Sequence, residues 1–220
     1  MTCRWNRTVN KEHAMPTTKP NILAFAGSTR TDSFNKKLIR IAASAARAAG
    51  AEVAYIDLRD LPMPLYDGDL EAQQGLSDNV KKFRALLVGH DGLLISAPEY
   101  NSGISGVLKN AIDWASRPLP GESPLVCFTG KVAVIMSASP GALGGLRGLV
   151  QVRSILSNIQ VLVLPEQIAV PKADEAFNEN GTLKDAKQQA AIEELGRRLT
   201  EILIKLNQQP KAALPKETTI

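Results

Sequence analysis

Two alternating periodicities constrain this chain more than any other feature. Short, mainly apolar runs occur at Ile22 to Ala26, Glu52 to Asp57, Gly92 to Ala97, Val132 to Ser137 and Val161 to Leu164. Between and after them, apolar residues recur every three or four positions. Leu38, Ile41, Ala42, Ala45 and Ala49 share one stripe over Lys36 to Ala49. Val80, Phe83, Leu86 and Leu87 share another behind a capping Ser77. Ile104, Val107, Leu108, Ala111, Ile112 and Ala115 form a third, Leu146 to Leu156 a fourth, and Ile192, Leu195, Leu199, Ile202 and Leu206 a fifth. Period two or none, followed by period 3.6, reads as strand then helix. Strands alternating with helices pair in parallel, because each right-handed crossover must bury its apolar stripe on the sheet. Strands this apolar are covered on both faces. The chain is therefore predicted to be a doubly wound α/β domain, with a five-stranded parallel sheet and helices on both faces.

The remaining sequence sets the boundaries. Residues 1–20 are polar and are expected to form a disordered leader, with Met15 a candidate natural start. The domain spans 21–206, and 207–220 is expected to be a flexible tail. Three stretches are long for loops: 59–76, 117–130 and 165–184. Lys and Arg number 26 against 22 Asp and Glu, but they are scattered, which argues against a nucleic-acid partner. Cys3 and Cys127 are the only cysteines and suggest neither a disulfide framework nor a metal site. No run approaches the roughly 20 apolar residues of a membrane helix, and no secretory signal is visible. A cytoplasmic protein without membrane contact is expected.

In open α/β sheets, ligands gather at the carboxyl ends of the strands. The first such loop runs from Gly27 through Ser28, Thr29, Arg30, Thr31, Asp32 and Ser33 to Asn35. Gly27 permits a tight turn, hydroxyls and backbone N–H groups meet at the positive end of a helix, and Arg30 adds a full charge. An anion fits there; a plain N-cap by Ser33 or Asp32 explains the same residues equally well. The loop has neither G-x-G-x-x-G nor G-x-x-x-x-G-K-[ST], which removes the usual support for a dinucleotide or a triphosphate and leaves a single terminal phosphate. The third strand ends in Pro98-Glu99-Tyr100-Asn101, followed by Leu108-Lys109-Asn110 and Asp113-Trp114.

That second run, together with the first loop, resembles the NADPH-dependent FMN reductase family, which includes quinone, azo-dye and chromate reductases. Its signatures are P-E-Y-N, L-K-N-x-x-D-W and G-S-x-R-x-x-S-x-N, and the agreement in element order extends from about Asn21 to Leu206. The resemblance implies a flavodoxin-like strand order, 2-1-3-4-5. It also implies that Ser28, Arg30, Ser33 and Asn35 hold the phosphate of FMN, while Pro98, Glu99, Tyr100 and Asn101 line the ribityl chain and ring. The loop after strand four looks like the family's glycine-rich loop: Gly141, Gly144 and Gly145 bring backbone N–H groups near the ring, and Ser137 or Ser139 bonds ribityl hydroxyls. A helix starting at 143–146 would stabilise negative charge at N1 and O2.

The expected activity is hydride transfer from NADPH or NADH through FMN to a small-molecule acceptor: quinone, azo dye, chromate or free flavin. The flavin carries the reaction, so no catalytic side chain and no metal are assigned. A non-enzymatic flavodoxin-type electron carrier and a flavin-binding redox sensor are the alternatives; the net charge of +4 and Arg30 disfavour the carrier. A homodimer or homotetramer is implied by the resemblance, with 61–66 the candidate subunit contact. Lys109, Asn110, Asp113 and Trp114 are expected to serve packing, capping or subunit contacts. Arg117 is expected to meet an acidic neighbour before an NADPH phosphate, and Cys127 to be buried.

Overall fold

The computed structural model describes residues 19–208; the expectations for the leader and the tail otherwise fall outside these residues. Five parallel strands form the sheet: β1 (Asn21–Ala26), β2 (Glu52–Asp57), β3 (Gly92–Ser96), β6 (Val132–Ala138) and β7 (Leu162–Val170), in the order β2-β1-β3-β6-β7. Counting sheet strands alone, this is the anticipated 2-1-3-4-5. Between β3 and β6 lies a separate antiparallel pair, β4 (Glu99–Tyr100) and β5 (Gly103–Ile104). The helices are α1 (Phe34–Ala48), α2 (Gly68–Gln74), α3 (Asp78–Val88), α4 (Gly106–Ala115), α5 (Leu146–Asn158), α6 (Ala173–Ala176) and α7 (Ala186–Asn207).

Side-chain alternation along each buried strand divides the core in two. Ile22, Ala24 and Ala26 join Val132, Val134 and Met136 beneath α1 and α7, whereas Leu23, Phe25, Leu93, Ile95 and Ile135 face α3, α4 and α5. The α1–α7 seam is tight because Gly196 has no side chain: a Cβ there would fall against the Ala42 carbonyl oxygen. Thr200 Oγ1 instead donates to the Gly196 carbonyl at 2.9 Å, inside its own helix.

The structure corrects several expected boundaries. Ile104 belongs to β5, and the helix starts only at Gly106 because Ser105 caps it, its Oγ accepting from Leu108 N at 3.3 Å. The last strand does not stop at Leu164. It continues to Val170, with a register shift between Ala133 and Ile135 that accommodates Pro165 and Glu166. An edge strand tolerates proline at such an irregularity. Arg153 steadies it, donating to the Val163 and Pro165 carbonyls and to Gln167 Oε1. The stretches 59–76 and 165–184 are not bare loops either, since they contain α2 and α6. Asp67 caps α2.

Two outcomes follow for the core. Gly196→Ala should cost about 1–3 kcal/mol by overpacking the α1–α7 seam, lowering the urea midpoint while leaving the slope unchanged. Cys127 is buried, and that burial pushes its thiol pKa up. In a Cys3→Ser background, a disulfide reagent at pH 8 should therefore leave the native protein unlabelled and react with one thiol per chain after unfolding.

Candidate functional site

Strand order reverses beside β1: the chain passes from β1 to β2 on one side and returns to β3 on the other. The carboxyl ends of β1, β3 and β6 consequently open onto a common crevice. It measures about 70 Å³ and is lined by Ser28, Arg30, Ser33, Asn35, Pro98, Glu99, Tyr100 and Ser139 together with Phe34, Ala138 and Pro140. Eight residues expected from sequence thus meet in one place. Larger hollows, of about 670 Å³ along the α1–α7 seam and about 240 Å³ beneath residues 58–63, lie off this crevice and share none of its lining residues.

The first loop is anchored from below. Ser105 Oγ donates to the Gly27 carbonyl at 2.6 Å, and a Cβ on Gly27 would come within 2.8 Å of Leu108 Cβ. This glycine is needed for the close approach of β1 to α4. Ser28 Oγ turns inward and accepts from Arg30 N at 3.3 Å. Position 33 separates the two sequence readings. Ser33 is the residue before α1, in extended geometry, but makes no side-chain cap, and Asp32 pairs with Lys37 at 2.8 Å. The hydrogen bond from Lys37 holds the Asp32 carboxyl below its ordinary value. Lys36 N and Lys37 N donate to the Ser33 carbonyl at 3.0 and 3.1 Å, and with neither side chain capping α1 the N–H groups of Phe34 and Asn35 are left to a ligand or water.

Asn35 is committed elsewhere. Its Oδ1 accepts from Ser96 Oγ at 2.8 Å and from Ala138 N at 3.0 Å, and its Nδ2 donates to the Ala138 carbonyl at 2.8 Å. It reaches the crevice wall, but three of its four hydrogen-bonding positions go to β3 and β6. These bonds hold the loop to the ends of β3 and β6.

The second loop is a hairpin. Asn101 (φ 51°) and Ser102 (φ 65°) form a two-residue turn between β4 and β5, with both φ values positive as the twist of a tight hairpin requires. Asn101 stands exposed at the tip, outside the crevice lining. Tyr100 leaves 51% of its surface exposed at the rim. Glu99 turns away: Arg147 Nε and Nη2 donate to its Oε1 at 3.0 and 2.7 Å, and Gly148 N donates to Oε2 at 2.9 Å. Burial opposes this charge, yet the bonds from Gly148 and Arg147 overcome it and hold the carboxyl below the ordinary glutamate value.

Of the five third-loop residues expected from sequence to bind, Ser139 alone lines the crevice, beside Ala138 and Pro140. The Ser137 hydroxyl is fully buried without a partner, underneath Gly145. Gly144 (φ 62°) and Gly145 (φ 95°) occupy left-handed positions, and a Cβ on Gly144 would strike the Val170–Pro171 backbone at 2.6–2.8 Å. Packing therefore explains both glycines. Gly141 has room for a side chain, its nearest neighbour being Ser139 Oγ at 3.7 Å.

The residues beyond the crevice also resolve. Asn110 Nδ2 and Trp114 Nε1 both donate to the Pro64 carbonyl, at 2.9 and 2.7 Å, and Asn110 Oδ1 accepts from Tyr66 N at 2.8 Å. They clamp residues 64–66. Lys109 pairs with Asp113 at 2.7 Å, and Arg117 binds Glu71. Sequence reasoning missed Phe34, which lines the crevice with Phe177 stacked on it at 6.1 Å. It also missed Arg147, whose contact with Glu99 bridges 48 positions and leaves no local signal. Among the described residues there is no group of three or more His, Cys, Asp or Glu side chains able to hold a metal, and no helix long and apolar enough to cross a membrane.

Comparison with known proteins gives this site a context. A family model described as NADPH-dependent FMN reductase matches residues 20–175. An NAD(P)H-dependent FMN reductase of Pseudomonas aeruginosa is 36% identical over 174 residues, 79% of this chain and 89% of its own length. A 2-hydroxy-1,4-benzoquinone reductase of a Burkholderia species is 34% identical, covering 74% of this chain and 84% of its own. Among solved structures, the flavoenzyme NAD(P)H:(acceptor) oxidoreductase FerB of Paracoccus denitrificans superimposes with a TM-score of 0.71 at 26% identity, over 84% of this chain and 98% of that one. An archaeal flavodoxin, at 8% identity and a TM-score of 0.55, shares the fold. The match spans all three loops that form the crevice and runs over most of the length of these relatives, so the chain belongs to the NADPH-dependent FMN reductase family.

Proposed function

We propose that this protein oxidises NAD(P)H through FMN seated at the strand-end crevice and delivers the electrons to a quinone. The observation that carries this reading is the uncapped start of α1, where the Ser33 hydroxyl, Ser28 and Arg30 surround a space of about 70 Å³. That volume suits a phosphate head, not a three-ring system, which needs the open rim beside Tyr100. The donor set also fits. Hydroxyls, helix N–H groups and a guanidinium complement a phosphomonoester, and the one carboxylate in the lining is already satisfied by Arg147 and Gly148.

Ser28, Arg30 and Ser33 would hold the phosphate, while Pro98, Tyr100 and Ser139 would border the ribityl chain and ring. Asn35, Ser137, Gly144 and Gly145 set the shape of the loops. Tyr100 offers a flat apolar surface against which the ring is oriented. FMN, once bound, would supply the two-electron redox chemistry that links NAD(P)H to the acceptor. The net reaction is NAD(P)H, a proton and quinone to NAD(P)+ and quinol. Azo dyes, chromate and free flavin are further acceptors that such an exposed site admits. No side chain need move a proton at a fixed atom, because the rim is open to water.

A second copy of the chain would complete the rim. Residues 61–66 are the proposed contact: Asn110 and Trp114 fix the Pro64 carbonyl, and the neighbouring Leu65 is 82% exposed. A single-electron carrier role is not supported by the net charge of +4, since carriers of this fold tend to be acidic.

Ser33→Ala and Arg30→Ala should each weaken FMN binding by about 10- to 100-fold, the worth of a hydrogen bond involving a charged group, in calorimetric titration of apoprotein. Riboflavin, which lacks the phosphate, should bind both variants as it binds the parent; an equal loss for riboflavin would reject the phosphate assignment. The FMN-loaded protein with NADPH and a benzoquinone should show parallel double-reciprocal lines. Turnover no faster than that of free FMN would reject the reductase reading.

A further inference from the structure

Glu99 is the sole acidic residue in the crevice lining, yet its carboxylate serves a helix on the other side of the glycine-rich loop. α5 begins at Leu146 behind Gly145, which has no side chain to cap it. The N–H of Gly148, the third residue of that helix, donates to Glu99 Oε2 at 2.9 Å. Arg147, itself 58% exposed, places its guanidinium on Oε1, whereas the Glu99 side chain is only 8% exposed. Glu99 thus caps α5 from a hairpin distant in sequence and neutralises the one arginine of that helix's first turn. Its Cβ also lies 3.2 Å from where a side chain on Gly148 would begin, so hairpin and helix are in direct contact.

The electrostatic consequence is specific. A helix N-terminus carries about half a positive charge and Arg147 a whole one. Both adjoin the loop that was expected, from sequence, to stabilise negative charge on a reduced ring. One carboxylate cancels most of that field.

We infer that Glu99 is a positioning residue that sets the reduction potential of the bound flavin, by withholding Arg147 and the start of α5 from the negative charge that reduction places on the ring. The inference rests on the reading that FMN occupies this crevice. Two opposite substitutions test it. Glu99→Gln removes the cancelling charge and should favour reduced over oxidised FMN by about tenfold, which raises the two-electron midpoint potential by about 30 mV. Arg147→Gln leaves the carboxylate uncompensated and should lower the potential by a similar amount. The double variant should return close to the parent.

The potential is read by anaerobic equilibration against reference dyes, with the dissociation constant for oxidised FMN and the melting temperature of apoprotein measured alongside. Both single variants break the same ion pair. If the pair merely holds the hairpin in place, they will weaken FMN binding together and move the potential in the same direction or not at all, and either result overturns the proposal. Arg147 is at the surface, so Arg147→Gln decides the sign even if Glu99→Gln fails to fold. Failure of the underlying reading looks different: the parent protein itself would bind no FMN.

Discussion

The candidate site depends on one buried amide. Asn35 lies in the first turn of α1 and bonds to Ser96 at the end of β3 and to both backbone groups of Ala138 at the end of β6. Parallel strands leave their terminal carbonyls and N–H groups unpaired where the sheet stops. This side chain satisfies two of them and, in doing so, fixes how far the first loop stands from the other two. A fully satisfied polar network in a dry setting is rigid and specific, because every displaced group would forfeit its partner. The crevice is therefore a by-product of strand-end bookkeeping, and Ser28, Arg30 and Ser33 inherit their positions from it.

Much of this was legible in the sequence, for reasons that differ by length scale. The five sheet strands follow from apolar runs and amphipathic stripes, whose periodicity is local and strong, whereas their order came from the family resemblance. The anion loop was legible because its parts lie within nine consecutive residues, from Gly27 to Asn35. What escaped was non-local or short. α6 has four residues and β4 and β5 two each, too few to establish a period. β7 extends past the apolar run that ends at Leu164, because the backbone absorbs Pro165 by shifting register against β6. Motif membership identified which residues gather at the crevice but not what each one does. Ser137 and Gly145 touch each other, and Glu99 reaches α5, by contacts that no linear spacing encodes.

The run from Leu108 to Trp114 shows how a recognisable motif can serve a site without touching it. Asn110 and Trp114 converge on a single carbonyl, that of Pro64. Proline lacks an N–H, so a segment containing Pro62 and Pro64 has fewer backbone donors with which to hold itself. Side chains from α4 compensate. The same helix carries Ser105 at its start, which pins Gly27. One element thus braces both the first strand-end loop and the exposed 61–66 segment.

The irregular course of β7 makes this edge of the sheet a poor seat for a further strand. An outermost strand with unpaired backbone groups is a template for another strand, and flat edges invite end-to-end growth. Here a proline, a shifted register and a guanidinium seated on two carbonyls interrupt the ladder. A neighbour approaching from that side finds no continuous row to zip onto. That side of the sheet is thereby guarded against end-to-end growth.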